Sequence, residues 1–179
     1  MGVKKCKVCK RNFVQKYGSL QVVCSYQCAI KLQKRKQREN DKRRRDALKT
    51  HGQWLKELQK VFNAYIRERD KDKPCISCGK APHLGKRDAG HYYSVGARAD
   101  IRFNEDNVHA QCVTCNQHKH GNLIEYRKGL IQRIGEERVN ALDTERKNSK
   151  MTIYEIKQMI ELYKKKRNDL RKNKTHNSD

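Results

Sequence analysis

Eight cysteines fall in four close pairs, Cys6/Cys9, Cys24/Cys28, Cys75/Cys78 and Cys112/Cys115, and no other feature restricts the fold of this 179-residue chain so tightly. A C-x-x-C turn lets two thiolates reach one ion, and two pairs complete a tetrahedron. Grouping neighbours gives two four-cysteine sites, Cys6, Cys9, Cys24 and Cys28, then Cys75, Cys78, Cys112 and Cys115, each expected to hold one structural Zn2+. The composition calls for such staples: 35% of residues are hydrophobic and 35% charged, too little apolar material for one large core. A redox role would need a βαβ pattern around a pair, and none is visible. The opening "MGVKKCKVCK" has no apolar core of a secretory signal, and no stretch approaches the ~18 apolar residues of a membrane span. A cytoplasmic protein is expected, in which paired cysteines bind metal rather than each other.

The formal charge of +23 asks for a polyanionic partner, and nucleic acid fits better than an anionic membrane because no helix shows a broad apolar face for a lipid surface. Residues 29–49 carry ten Lys or Arg against three Asp or Glu, with no Gly or Pro, and are expected to form a helix running on from the Cys24/Cys28 turn. Arg43, Arg44 and Arg45 in that run are its candidate phosphate contacts. "THG" at 50–52 breaks the helix and opens another, in which Trp54, Leu58, Val61, Phe62 and Tyr65 make one apolar stripe. Farther on, Leu123, Leu130, Ile131 and Ile134 mark a helix ending at Gly135, and a short helix is expected over 136–146. "TIYE" at 152–155 is a capping box opening a last helix with Ile153, Ile156, Ile160 and Tyr163 on its apolar edge; the terminal "THNSD" should fray.

The class expected is therefore α+β, small and zinc-stapled. Its parts are an N-terminal zinc finger (1–28), a basic helical region (29–72), a second zinc module (73–135) and a C-terminal basic helical region (136–179).

Within the second module, "RDAGHYYSVGARADIRFNEDNVHAQCVTCNQHKHGN" packs four of the seven histidines around two cysteines. Cys75 and Cys78 followed by His91 look like half of a two-Cys, two-His finger, but Val95, Gly96 and Ala97 stand where the second His would be needed. Once Cys112 and Cys115 complete the zinc, His91 is a spare imidazole. "AGHYY" favours a strand, "IRF" and "NVHAQ" two extended pieces, and "NEDN" the turn between them.

The pattern Cys75-x2-Cys78, His91, Asn107-x4-Cys112-x2-Cys115-Asn116-x2-Lys119 resembles the HNH, or ββα-metal, nuclease motif. More closely, "CISCGK…DAGHYYS…IRFNEDNVHAQCVTCNQHKHGNLIEYR" resembles the NinG/Rap recombination proteins of lambda-type phages. The likeness runs from Cys75 to the last helix, and the basic, cysteine-bearing N-terminal part fits it too. The resemblance implies an endonuclease for branched double-stranded DNA such as Holliday junctions and D-loops, acting in the host cytoplasm. It puts His91 at the general base and Asn107 at the middle Asn. Asn116 stands where many such enzymes have their last histidine, with His118 and His120 nearby. Gly90 departs from the pattern, because an acidic or histidine ligand often precedes the base; Asp88 is the nearest carboxylate. Asp88, Asn116 and His118 are thus the candidate ligands of a divalent ion, and Arg98, Arg102 and Lys119 further candidate DNA contacts.

The residue types suit the chemistry. A neutral imidazole can accept a proton from water at cellular pH, while Mg2+ or Mn2+ on carboxylate and amide oxygens can steady the phosphate. Zinc in a four-thiolate cage offers no open position for this. Symmetric cutting of a junction would suit a homodimer. The competing expectation is a zinc-finger DNA-binding or architectural protein that does not cut, favoured by Gly90; RNA binding is a third, since charge alone does not separate the two nucleic acids.

Overall fold

The computed structural model describes residues 2–144 and 150–175. The architecture is mixed α+β with two small antiparallel sheets and two four-cysteine clusters. It divides into two units, Met1–Thr50 and His51–Asp179. The basic run therefore belongs with the first cysteine quartet, and the helix after it with the second.

In the first unit, strands β1 (Val3–Lys5) and β2 (Asn12–Val14) pair around the first knuckle, and helix α1 (Tyr26–Leu48) follows the second cysteine pair. Ser25 caps α1, its side chain accepting from the Cys28 N–H. Cys28 is the only residue of α1 that is buried, so this helix has no apolar face of its own and presents its charge to solvent.

The second unit is built on α2 (His51–Arg69) and α5 (Ile153–Thr175). The stripe on α2 buries Trp54, Leu58, Phe62, Tyr65 and Ile66, and α5 answers with Ile156, Ile160 and Tyr163. Phe62 meets Tyr163 edge-on at 4.8 Å and Phe103 at 5.7 Å. Each such buried side chain contributes roughly 1.5–3 kcal/mol. The capping box starts α5 as expected: Thr152 N–H donates to Glu155 at 2.7 Å, and Glu155 N–H returns to Thr152 Oγ1 at 3.2 Å.

Against this pair lies a hairpin, β3 (Arg87–His91) with β4 (Val108–Cys112), in unbroken register from Arg87↔Cys112 to His91↔Val108. The C-terminal end of α2 pins it. Asp70, fully buried, accepts the Ala110 N–H at 3.0 Å, and Arg69 donates to the Val108 carbonyl at 2.8 Å. A π-helical turn (Thr114–His118) leads to α3 (Leu123–Ile134), which ends at Gly135 with φ 86°, and to α4 (Glu136–Thr144). α3 seats close to the knuckle because residue 129 is glycine; a Cβ there would collide with the Ile76 carbonyl.

Two sequence expectations are corrected. Strand β3 ends at His91 rather than continuing through Tyr92 and Tyr93, because the Tyr93 N–H goes to the Asn107 side chain. The "IRF" segment is a series of turns, with Ile101 buried beside Tyr126 and Leu130, not an extended piece. The last two residues of the helix expected over 136–146 lie outside the described residues, as do residues 176–179 of the segment expected to fray.

Candidate functional site

The two cysteine quartets come together as the spacing predicts. In each, the four Sγ atoms lie within 4.8 Å of one another. The separations Cys9–Cys24, Cys24–Cys28 and Cys78–Cys112 are 3.5, 3.7 and 3.7 Å. A tetrahedron with Zn–S bonds of about 2.3 Å has edges of about 3.8 Å, so either cage can hold a structural zinc ion. N–H groups brace the second cage: Cys112 donates to Cys75 Sγ and Cys115 to Cys112 Sγ. Burial opposes the Cys75 thiolate, yet the surrounding N–H donors outweigh it and bring its pKa down to about 7.

His91 closes strand β3, half-buried on the hairpin face that carries Ala89 and Val108 toward the α2–α5 core. Its Nε2 lies 3.1 Å from the Arg102 carbonyl. A carbonyl only accepts, so in the neutral ring Nε2 carries the hydrogen and Nδ1 keeps its lone pair. Burial, aided by the Arg102 guanidinium charge, lowers the His91 pKa against the opposing pull of the Arg102 and Ala89 carbonyls. The balance favours the neutral ring.

Asn107 holds the loop that supplies this carbonyl. Fully buried, it accepts the Tyr93 N–H at 2.8 Å, and its Nδ2 donates to the carbonyls of Tyr93 and Ile101 at 3.1 and 3.2 Å. Arg102 is steadied from α2, its Nε donating to Gln59 Oε1 at 2.5 Å. Sequence reading missed Gln59: one polar residue on a half-buried helix edge carries no signal.

Asp88 and Asn116 are brought together, but apart from His91. Asn116 Nδ2 and Gln117 Nε2 both donate to Asp88 Oδ2, at 3.0 and 2.7 Å. With no bulge in the hairpin, residues 88 and 90 leave one face and residues 89 and 91 the other. Gln111, opposite Asp88, fills the room a side chain at position 90 would need; a Cβ there would strike its amide, which is why Gly90 stands there. The Gln111 amide is fixed in turn by Ser77 Oγ and the Gly121 carbonyl. His118 is exposed. Among the described residues, only the two quartets gather three or more Cys, His, Asp or Glu groups close enough to share an ion. The oxygen donors near position 88 are one carboxylate and two amides, a thin set for Mg2+ or Mn2+ without substrate phosphate.

Arg98 is corrected as a DNA contact. It is buried, its guanidinium bonding both oxygens of Asp100 and the Leu142 carbonyl, and so ties the loop to α4. Asp100, two residues on, was the signal. Arg102 is half-buried, whereas Arg43, Arg44, Arg45 and Lys119 are exposed.

Comparison with known proteins follows the same outline. The family model described as Bacteriophage Lambda NinG protein matches residues 2–173. The ninG protein of Escherichia phage lambda is 47% identical over 132 residues, covering 74% of this chain and 64% of its own length. That of Escherichia phage 933W is 37% identical, with 96% of both chains covered. The chain thus spans under two thirds of the phage lambda relative and nearly all of the 933W one. No solved structure matches. No helix among the described residues is long and apolar enough to cross a membrane.

Proposed function

The chain belongs to the NinG family of lambda-like phages, and from that premise we propose that it is an endonuclease for branched double-stranded DNA, acting in the cytoplasm of the infected cell. The observation that carries this reading is the His91 ring. A neutral imidazole is held by the Arg102 carbonyl at Nε2, and Nδ1 keeps the lone pair a general base needs. Asn107 positions the loop, the second quartet fixes the hairpin, and His91 takes the proton of the attacking water. A divalent ion, when bound, supplies charge stabilisation at the phosphate. Asp88 and Asn116 do not share a face with His91, so no step of this reading is routed through an ion they hold.

That same separation favours a second reading, a zinc-stapled recombination protein that binds DNA without cutting it. The deciding experiment incubates the zinc-loaded protein with end-labelled linear, Y-shaped and four-way DNA in Mg2+, Mn2+ or EDTA. Metal-dependent cleavage confined to branched substrates supports the endonuclease; binding with no cleavage in any metal supports the second reading.

A further inference from the structure

The first unit contains a groove that the cleavage chemistry does not use. About 680 Å³ in volume, it lies between the β2 edge and the start of α1, and its walls include Phe13, Val14, Lys16, Tyr17, Val23 and Tyr26. Tyr17 is 85% exposed and Tyr26 78%. Exposed rings on a loop are ordinarily free to move, yet this loop is built to hold still. The N–H groups of Lys16 and Tyr17 both donate to Gln21 Oε1, at 2.8 and 3.1 Å. Gln15 Nε2 donates to the carbonyls of Gly18, Ser19 and Gln21. Lys4 Nζ adds a bond to Ser19 O at 2.7 Å. Hydrogen bonds thus fix the backbone beneath Tyr17, while Tyr26 stands on the first turn of a capped helix.

Charge says what the groove faces. Residues 2–25 carry six Lys or Arg and no Asp or Glu, and α1 continues the positive surface. An apolar, aromatic groove on so cationic a support suits a partner with flat rings and a negative backbone. A duplex hides its base faces in the stack; a single strand offers them.

We propose that this groove binds unpaired bases of single-stranded DNA, stacking them on Tyr17 and Tyr26 while α1 follows the phosphates. The inference rests on the reading that the chain binds DNA, and is independent of whether it cuts. It gives a branched substrate that carries a single-stranded arm, such as a fork or a D-loop, a second handle.

The test uses the full-length, zinc-loaded protein with fluorescein-labelled oligo(dT) and a blunt duplex of equal length at fixed salt. Replacing both tyrosines (Tyr17→Ala with Tyr26→Ala) is expected to weaken oligo(dT) binding roughly 10- to 100-fold and to leave duplex binding unchanged. Tyr17→Phe with Tyr26→Phe, which keeps the rings, should bind like the unmodified protein. As a check needing no variant, 2-aminopurine within a single strand should change in fluorescence when the unmodified protein binds. Equal loss on both DNAs, no loss on oligo(dT), a silent 2-aminopurine signal, or tighter binding of oligo(U) than of oligo(dT) would each overturn the proposal. Tyrosine-dependent binding without cleavage sinks the endonuclease reading alone; cleavage with tyrosine-independent binding sinks this one alone.

Discussion

The two units use one local design for two ends. Each has a C-x-x-C turn with matching hydrogen bonds: Lys10 N–H to Cys6 O and Gly79 N–H to Cys75 O, both 3.0 Å, then Cys6 N–H to Arg11 O and Cys75 N–H to Lys80 O, both 2.9 Å. Each also has a loop clamped by a side-chain amide, Gln21 in the first unit and Asn107 in the second. The surroundings differ. Gln21 is only partly buried and its loop holds an exposed tyrosine outward; Asn107 is fully buried and its loop turns a carbonyl onto His91. The same staple therefore holds an exposed ring to solvent in one unit and fixes a half-buried ring inside the other.

The largest effect should come from the staples themselves. Cys75→Ala removes a ligand from the cage joining hairpin to helix, and is expected to cost on the order of 10 kcal/mol of metal-linked folding energy. Cys6→Ala should instead lose one zinc and leave the His51–Asp179 unit folded. Zinc analysis beside limited proteolysis checks this; loss of both ions from Cys6→Ala would break the division into two units.

Next come the amide clamps. Asn107→Ala strands a buried N–H and two carbonyls, and should destabilise the second unit by about 3 kcal/mol. Gln21→Ala should cost under about 1 kcal/mol, because water reaches the groups it frees. Urea melts of both variants give the ratio, and equal losses would erase the contrast.

The docking side is sharpened by charge. Replacing Arg43, Arg44 and Arg45 together should lower the salt dependence of duplex binding by on the order of 2–3 units, uniformly over sequence. An unchanged slope would make α1 a solvated surface only.

The smallest effect concerns the knuckles. Both residues after the second cysteine have positive φ, 64° at Lys10 and 69° at Gly79. Lys10→Gly should stabilise the first unit by about 1 kcal/mol and Gly79→Ala destabilise the second by about as much. Thermal melts that move in the same direction would show that the two turns are not equivalent.

Much of this was legible in the sequence, for reasons that differ by element. The quartets, the capping box and the Gly135 stop are local patterns, and local chemistry enforces them. The apolar stripes of α2 and α5 were equally plain, but a stripe says that a helix has a partner, not which one; their pairing across ~100 residues is a tertiary choice. "IRF" carries strand-favouring residues, yet the Asn107 clamp and the burial of Ile101 override that preference. Arg98 sat in a basic setting that suggested DNA, and only its bond to Asp100 reveals a structural role. Gly90 looked like a missing ligand because the side chain that fills its space, Gln111, comes from the neighbouring strand.

In the proposed endonuclease reading the second unit's frame holds His91 as a base, while affinity resides elsewhere. Single-turnover cleavage of a four-way junction by His91→Ala, run beside binding and zinc assays on the same preparation, tests it most directly. The account predicts a fall in rate of about 10²- to 10⁴-fold that added Mg2+ or Mn2+ does not restore, with junction affinity and both zinc ions retained. Cleavage at the unmodified rate would contradict it.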